Sequence, residues 1–397
     1  LTHDIYESWL RAVPDSSAVS LYVHIPYCKK LCWFCGCHTR ISQQYKPVEN
    51  YLAPLVKEVR MVAEKIGRKQ PGSHIHFGGG SPTILTCEDF SLLMHTLHQH
   101  FVIGNNAEIA IEIDPRGFTE AKAACYASLG VNRVSIGVQD FDLAVQKAVN
   151  RIQPFHMVYD TVKLCRNYGI RQISFDLIYG LPEQTLEGLQ RSLECALMFV
   201  PNRIALFGYA HVPWKKKNIR MIDESALPDD TARYAMFEAA SSQLKAAGYL
   251  PIGLDHFAKA DDSMGVAWKE KKLKRNFQGY TTDGAEALIG LGASAISSFP
   301  QGYAQNAAMV EEYERSLAAD ELPTRRGFSL TIDDRLRRTI IESLMCYSEV
   351  DIKQICGSGL KPVSYFDDVL KRLQPMQQDG LVSIEGYVIR VNPSCPQ

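Results

Sequence analysis

The sequence predicts an α/β fold, an open and partial (β/α)6 barrel followed by a small C-terminal helical domain of winged-helix type. Two observations indicate the barrel. Short β-rich runs alternate with amphipathic segments, and six such units precede residue 210, fewer than the eight of a closed barrel. A third observation indicates the appendage: helical periodicity returns near residue 331 and ends in a hairpin-like alternation.

The predicted barrel strands are short runs rich in β-branched and aromatic residues. They are Ser20–Ile25, His74–Phe77, Ala107–Ile113, Arg133–Gly137, Gln172–Leu177 and Arg203–Tyr209. The segments between them space their apolar residues three and four apart, which indicates helices. These helices are Val48–Lys65, Glu88–His100, Glu120–Leu129, His156–Asn167 and Leu186–Phe199. Alternation of this kind is typical of a parallel sheet covered by helices.

Past Tyr209 the alternation weakens, and only a helix at Asp230–Ala247 and a strand at Tyr249–Leu254 are clear before about residue 327. The pattern then becomes helical again and closes with a hairpin. The elements of this last part are Ile332–Met345, Ser364–Met376 and Gly380–Val391. We therefore predict a barrel region at residues 1–327 and a second domain at residues 328–397.

Composition and charge limit the function classes. Hydrophobic residues make up 46% and charged residues 22%, which is ordinary for a globular protein, and the net charge of -1 argues against bulk electrostatic binding of nucleic acid. The first twenty residues contain no apolar run of signal-peptide or transmembrane type. We expect a cytoplasmic monomer that binds neither nucleic acid nor membrane. The sequence begins at Leu1 rather than Met, so we expect some terminal sequence to be missing.

The strongest chemical signal is a group of four cysteines directly after the first predicted strand. Cys28, Cys32 and Cys35 follow the spacing C-x3-C-x2-C, and Cys37 comes two residues later. Three thiolates can hold a [4Fe-4S] cluster and leave one iron open to a small-molecule chelate. The alternative is a structural zinc site, but zinc motifs usually need a second pair about 12 or more residues further on, and none follows. The role of Cys37 stays open.

Further ligand-binding signals follow the later strands. Gly78-Gly79-Gly80-Ser81 would let a ligand approach the backbone closely, although an ordinary βα turn is the alternative. Polar residues at the ends of successive parallel strands converge on one mouth of a barrel, although each alone can simply fix a loop. These residues are Glu112, Asp114, Gln139, Asp140 and Asp176.

Two basic runs, Lys215–Lys217 and Lys269–Arg275, lie in the later half of the chain. Lysine clusters are mostly solvated surface, and the alternative is that they steer an anionic ligand toward the site. The sequence alone does not distinguish these roles.

Taken together, the motifs resemble the oxygen-independent coproporphyrinogen III oxidase family, also called coproporphyrinogen dehydrogenase, of the radical S-adenosylmethionine (SAM) superfamily. The resemblance spans nearly the whole chain. It rests on the cysteine group, on Gly78-Gly79-Gly80, and on Tyr22-Val-His-Ile-Pro26, Ile111-Glu-Ile-Asp-Pro-Arg116, Gly137-Val-Gln-Asp-Phe141, Asp176-Leu-Ile-Tyr-Gly-Leu-Pro182, Tyr209-Ala-His211, Asp255-His-Phe-Ala258 and Asn276-Phe-Gln-Gly-Tyr-Thr-Thr282.

The resemblance implies a radical SAM barrel with a [4Fe-4S] cluster on Cys28, Cys32 and Cys35 and with two SAM molecules per active site. The positions that match contacts of the cluster-bound SAM are Tyr22, Gly79, Glu112 and Ile296. Those that match contacts of the second SAM are Phe34, Gly80, Ser81, Gln139, Arg151, Asp176 and Ala210. Ser81 stands where the family commonly has threonine, and it keeps the hydroxyl.

The activity that the resemblance implies is anaerobic decarboxylation of two propionates of coproporphyrinogen III to vinyl groups, giving protoporphyrinogen IX in heme biosynthesis. An unidentified low-potential donor supplies an electron, SAM yields a 5'-deoxyadenosyl radical, and this radical takes a hydrogen from the propionate β-carbon. No catalytic side chain is implied beyond the cluster and SAM. The alternative is a related heme chaperone, against which Cys37, the Asn276–Thr282 segment and the second-SAM positions count. If missing terminal segments shield the porphyrinogen, the chain as given would bind SAM yet turn over poorly.

Overall fold

The computed structural model describes residues 3–357 and 359–392. The strands in chain order are β1 Val19–Ile25, β2 Tyr27–Cys28, β3 Arg40–Ile41, β4 Gln70–Gly79, β5 Phe101–Ile113, β6 Arg133–Gln139, β7 Gln172–Tyr179, β8 Arg203–Gly208, β9 Tyr249–Ile252, β10 His256–Lys259, β11 Lys274–Asn276, β12 Gly279–Thr281, β13 Ala287–Leu291, β14 Ile296–Phe299, β15 Gly302–Asn306, β16 Thr324–Ser329, β17 Glu349–Asp351, β18 Val382–Glu385 and β19 Val388–Val391.

The helices in chain order are α1 His3–Arg11, α2 Lys46–Ile66, α3 Cys87–His100, α4 Glu120–Ser128, α5 Leu143–Ala148, α6 Phe155–Asn167, α7 Leu186–Met198, α8 Asp230–Ala246, α9 Ser263–Lys269, α10 Val310–Ala318, α11 Ile332–Tyr347, α12 Ile352–Cys356 and α13 Asp367–Gln378. In the described part of the chain, no helix is long and apolar enough to cross a membrane.

Six parallel strands form the barrel sheet in the order β1-β4-β5-β6-β7-β8, which confirms the predicted (β/α)6 arrangement. The register places Leu21 beside Ile75 and Ile75 beside Ile109. All seven residues of β1 are buried, as expected for a parallel strand covered on both faces. β4 and β5 begin earlier than predicted, at Gln70 and Phe101, because their first residues carry weak strand signals such as Pro71 and Gly104.

The sheet continues on the other side of β1 with four strands that the sequence did not reveal. β13 pairs in parallel with β1, Leu21 lying beside Ile289, and β14, β15 and β16 follow as antiparallel neighbours. β1 is consequently an interior strand with neighbours on both edges. These four strands are short, four to six residues each, and the segment gave no clear period on which to assign them.

The chain divides into two compact units. The first comprises residues 1–247 and 285–329, and the second comprises residues 248–284 and 330–397. The first unit contains the barrel sheet. The second contains its own hydrophobic clusters, one around Leu336, Phe366 and Ile389 and another around Tyr280 and Cys346. Segment 248–284, which the sequence analysis assigned to the barrel region, groups with the C-terminal residues. Compactness alone does not establish independent folding, so the domain boundary at 327/328 stays a prediction.

A buried carboxylate fastens the added strands to helix α2. Glu58 is 1% exposed and accepts hydrogen bonds from the Gly292 amide at 2.6 Å, from Asn306 Nδ2 at 2.6 Å and from the Tyr313 hydroxyl at 2.7 Å. Burial raises the pKa of Glu58 to about 7, although the three donors favour the ionised form. One side chain therefore joins α2 to β15, α10 and the loop after β13.

Glu58→Gln is predicted to flatten the pH dependence of stability. The unfolded carboxyl has a pKa of about 4.3, so the folded protein holds the proton more tightly, and this contribution to stability falls as the pH rises from about 4 through about 7. The urea concentration at the unfolding midpoint should be measured at about pH 5.5 and about pH 8, on either side of the folded pKa. Between these two pH values, the midpoint of the parent should drop more than the midpoint of the variant. Glu64→Gln, an exposed change on the same helix, is the control. Equal drops in parent and Glu58→Gln would contradict the prediction.

Candidate active site

A pocket of about 260 Å³, partly open to solvent, lies near the carboxyl ends of the barrel strands. Most of the predicted site residues line it. They are Cys28, Cys32, Phe34, Cys35, Gly79, Gly80, Ser81, Glu112, Gln139, Arg151 and Asp176. Tyr22, Ala210 and Ile296 are not among the lining residues. Side chains that are distant in sequence meet here because parallel strands end at the same edge of the sheet.

The cysteine loop is closed by a short parallel ladder between β2 and β3, in which Cys28 lies beside Ile41. The Thr39 hydroxyl donates a hydrogen bond to Cys28 Sγ at 3.2 Å. Burial raises the pKa of the Cys28 thiol to about 11, and this hydrogen bond partly opposes the rise. The loop thus presents its first cysteine with a donor already directed at the sulfur.

Cys32, which is 7% exposed, has two guanidinium groups at its sulfur. Arg116 Nη2 and Arg151 Nη1 each donate to Cys32 Sγ at 3.4 Å. Asp114 holds Arg116 through hydrogen bonds at 2.7 and 3.0 Å. Burial alone would raise the pKa of Asp114, but Arg151 and Arg116 lower it to about 2. Asp114 thus holds the guanidinium group of Arg116 beside the Cys32 sulfur, next to that of Arg151.

Cys35 and Cys37 interact with each other. The Cys37 thiol donates to Cys35 and, against the effect of burial, lowers the pKa of Cys35, while the same hydrogen bond raises the pKa of Cys37. Cys37 is exposed and also lines the pocket. The arrangement favours a thiolate at Cys35 rather than at Cys37.

Asn218, which the sequence analysis missed, holds the cysteine loop from a distant part of the chain. Its Nδ2 donates to the carbonyl oxygens of Cys32 at 3.3 Å, Trp33 at 3.1 Å and Cys35 at 2.9 Å. Lys216 Nζ donates to the carbonyl of Cys37 at 3.0 Å. An isolated asparagine after a lysine run carries no sequence signal for this role, because the contact depends on tertiary structure.

The glycine turn after β4 lies against the cysteine loop. The Gly80 amide donates to the Ile25 carbonyl and the Ser81 amide donates to the Tyr27 carbonyl, both at 2.9 Å. A Cβ atom at Gly80 would lie 2.6 Å from Thr39 Oγ1, and Gly79 has φ +115°. Both positions need glycine, one for close approach and one for backbone conformation.

Glu112 lies beside two aromatic rings. His76 Nε2 and Glu112 Oε1 are 3.2 Å apart, and the Tyr22 ring stacks near His76 with centroids 6.0 Å apart. The Tyr22 hydroxyl donates to His24 Nδ1 at 3.0 Å, and His24 Nε2 donates to the His38 carbonyl at 3.0 Å. Burial lowers the pKa of His24, which keeps the ring neutral. His24 thus connects β1 to the cysteine loop.

The end of β6 presents one polar side chain to the pocket and turns the next away. Gln139 lines the pocket from a left-handed backbone conformation, φ +67°, just after a break in register with β7. Asp140 is 2% exposed and accepts hydrogen bonds from Ser192 and Gln184, both at 2.6 Å. Asp140 therefore stabilises the loops, whereas Asp176 reaches the pocket and accepts from the Ser135 hydroxyl at 3.1 Å.

The three predicted residues outside the lining lie at different places in the unit. Tyr22 is 7% exposed and packs in a small cluster with Leu288 and Ala295, next to Ile296 in β14. Ala210 is exposed, just after β8. Their predicted SAM contacts remain predictions.

Comparison with known proteins gives concordant results. The sequence profile of the Radical SAM superfamily matches residues 22–196. Oxygen-independent coproporphyrinogen III oxidase of Bradyrhizobium diazoefficiens is 47% identical, covering 96% of this chain and 85% of that protein. The protein of the same name from Paracoccus denitrificans is 42% identical, covering 87% and 77%. The chain belongs to the oxygen-independent coproporphyrinogen III oxidase family.

A solved structure of this family has the same fold over the full length. Coproporphyrinogen III oxidase (HemN) from Escherichia coli, described as a radical SAM enzyme, matches with a TM-score of 0.96 at 36% identity. The match covers 100% of this chain and 91% of that protein. The likeness therefore includes the strands β13 to β16, which lie outside the matched superfamily profile.

The pocket fits the cofactors that the family implies, a [4Fe-4S] cluster and SAM. Arg151 lines the pocket, and its buried Nε has no hydrogen-bond partner among the described residues. Thr39, Arg116 and Arg151 donate to cysteine sulfurs. Within residues 3–357 and 359–392, no three His, Cys, Asp or Glu side chains surround a position for a single ion. A cluster is larger than one ion, so its thiolates need not converge so closely.

Asn218→Asp is predicted to loosen the cysteine loop. The aspartate keeps the shape of the side chain but turns the donor to three carbonyls into an acceptor, at a cost of about 1–3 kcal/mol. In the cluster-free protein, Cys32 should react with N-ethylmaleimide roughly tenfold faster, as followed by mass spectrometry of its peptide. Arg220→Gln is the control, since that side chain donates only to the Pro213 carbonyl outside the loop. An unchanged rate at Cys32 would contradict the role of Asn218.

Proposed function

We propose that this chain catalyses the oxygen-independent oxidation of coproporphyrinogen III, by decarboxylating two propionates to vinyl groups and giving protoporphyrinogen IX for heme biosynthesis. One observation carries the proposal. A pocket lined by Cys28, Cys32, Cys35 and Cys37, with charged donors at the Cys32 sulfur, lies in a chain 47% identical to an enzyme named for this substrate. The relatives compared above have oxidase names, which gives no support to the heme-chaperone alternative.

The proposed cluster ligands are Cys28, Cys32 and Cys35. All three line the pocket, and the donors at Cys28 and Cys32 are of the kind that stabilises ligating thiolates. The lowered pKa of Cys35 supports it as a ligand in preference to Cys37. When bound, the cluster and SAM together supply the radical that removes hydrogen from an unactivated carbon.

We further propose that the pocket holds two SAM molecules in separate parts. Glu112 and Gly79 both line the pocket, and the carboxylate of Glu112 matches the amino group of the cluster-bound SAM. Asp176, Ser81 and Gln139 also line the pocket, and their carboxylate and hydroxyl oxygens match ribose hydroxyls of the second SAM. The unused Nε of Arg151 matches a SAM carboxylate.

In this scheme the protein binds, orients and protects, and no side chain acts as a general acid or base. Arg116 and Arg151 hold charge at Cys32, and the glycine turn admits the ligand to the backbone. The side chains of Tyr22, His24 and Asn218 fix the walls and the loop, so the reacting groups stay in one geometry.

We also propose a cytoplasmic monomer that uses a low-potential electron donor and binds neither nucleic acid nor membrane. The net charge of -1 is consistent with this.

The proposal predicts two products from one anaerobic reaction. The protein is reconstituted with iron and sulfide, then supplied with reductant, SAM and coproporphyrinogen III, and 5'-deoxyadenosine and decarboxylated porphyrin are quantified by chromatography. Both products are expected. Deoxyadenosine without decarboxylation would reject this substrate, and stoichiometric heme binding without either product would favour the chaperone.

Single substitutions test the ligand assignment. Cys28→Ala, Cys32→Ala and Cys35→Ala should each lose most of the iron and all deoxyadenosine formation, because a cluster with two protein ligands is poorly held. Cys37→Ala should keep the iron of the parent. Iron content and electron paramagnetic resonance of the reduced protein give the answer, and a Cys32→Ala protein with full iron would overturn the assignment.

Removing a side chain that we propose to bind ribose should abolish one of the two SAM sites and leave the other intact. Equilibrium dialysis of the reconstituted protein should give about two SAM per chain, and Asp176→Asn about one, since hydrogen bonds to a carboxylate contribute about 1.5–3 kcal/mol each. Asp160→Asn, an exposed change on α6, should bind as the parent does. A parent that binds only one SAM would reject the second site.

A further inference from the structure

The two basic runs of the chain differ in how their charges are compensated. In the run 269–275, three lysines lie near carboxylates: Lys271 Nζ is 3.9 Å from Glu349, Lys272 Nζ is 2.8 Å from Glu270, and Lys274 Nζ is 3.5 Å from Glu342. The second basic surface is residues 214–221, here called the basic segment. In the part of the chain that the structure describes, no carboxylate forms an ion pair with the four cationic side chains of the basic segment. These are Lys215, Lys216, Lys217 and Arg220.

The basic segment is fixed directly to the cysteine loop. Lys216 and Asn218 donate to four carbonyl oxygens of that loop, at distances between 2.9 and 3.3 Å. Ile219 is 1% exposed and belongs to a hydrophobic cluster against which Trp33 and Phe34 of the loop pack. A molecule bound to this segment would therefore lie next to the loop that carries Cys32 and Cys35.

The outer face of the basic segment combines positive charge with exposed apolar side chains. Trp214 is 71% exposed and Met221 is 58% exposed, while Lys215, Lys217 and Arg220 are exposed around them. Exposed Trp, Met and Arg side chains are enriched at protein interfaces. None of residues 214–221 lines the pocket, so this face is not part of the wall that would bind a small ligand.

We propose that the basic segment is the docking surface for a small acidic electron-transfer protein, which delivers the electron needed by the proposed function. The uncompensated lysines match an acidic partner, and the exposed Trp214 supplies an apolar anchor. One electron would leave the reduced one-electron carrier of the partner and enter the oxidised cluster. The carrier would be oxidised by one electron and the cluster reduced by one, with no bond formed or broken in this chain.

The inference rests on the proposed function, because it requires a cluster to reduce. The test compares two reductants on reconstituted protein by stopped-flow absorbance at the cluster bands. One reductant is a photoreduced acidic flavodoxin, which must dock, and the other is dithionite, which is small and needs no docking surface. The variants are Lys215→Glu/Lys217→Glu and, as a matched control, Lys271→Glu/Lys272→Glu in the compensated run. Iron content and far-UV circular dichroism establish that each variant is loaded and folded.

Reversal of the two charges in the basic segment should slow reduction by flavodoxin at least about tenfold, because electrostatic steering changes association rates by about 10–10³. The same variant should be reduced by dithionite as fast as the parent, and the control variant should match the parent with both reductants. Flavodoxin reduction of the parent should also slow as ionic strength rises, since salt screens exposed charges.

Several results would overturn the docking surface. One is that flavodoxin reduces the parent and the basic-segment variant equally fast. Another is that flavodoxin does not reduce the parent at all. A third is that reduction of the variant by dithionite is slowed as much as its reduction by flavodoxin. A raised KM for coproporphyrinogen III with dithionite as reductant, and unchanged flavodoxin kinetics, would assign the lysines to the anionic substrate instead. Failure of the proposed function itself is distinct, because the protein would then form no decarboxylated porphyrin with dithionite either.

Discussion

The charge arrangement at Cys32 is the interaction on which the rest of the site depends. Arg116 and Arg151 both donate to the buried Cys32 sulfur at 3.4 Å, so two positive charges lie beside one side chain of the cysteine loop. Two guanidiniums in one partly buried place would repel each other without Asp114, which binds Arg116 and lies 3.5 Å from Arg151. The four side chains come from the cysteine loop, the end of β5 and the segment after α5, so the fold must hold these elements in register.

The parallel sheet provides that register, and contacts from outside it complete the loop. Arg151 also donates to the Gly137 carbonyl at 2.6 Å, at the end of β6, and the glycine turn after β4 donates to the backbone of residues 25 and 27. On the other side Asn218 binds three loop carbonyls. The cysteine loop is therefore held on both sides by atoms that belong to other elements. This is how the fold gives a loop the rigidity that a radical reaction requires.

Much of the fold could be predicted because its signals are local. The six barrel strands are apolar runs bounded by polar turns, and the helices between them keep a period of three and four residues. Both kinds of element can therefore be recognised without tertiary information. The strands β13 to β16 could not be assigned, since four to six residues give no period, and the pairing of β13 with β1 joins segments more than 260 residues apart. Segment 248–284 was grouped with the barrel for the same reason: its contacts with residues after 330 are nonlocal.

The sequence by itself determined the type of chemistry, because the spacing of Cys28, Cys32 and Cys35 and the glycine turn are short motifs whose meaning lies in neighbouring residues. It also indicated that Glu112, Gln139 and Asp176 share one face, since parallel strands end together. Only the tertiary structure decided which polar residues serve the pocket and which serve the scaffold. Asp140 turns inward to Ser192 and Gln184, and Asn218 proves to hold the cysteine loop. Those outcomes depend on contacts across 40 to 190 residues, which no local pattern encodes.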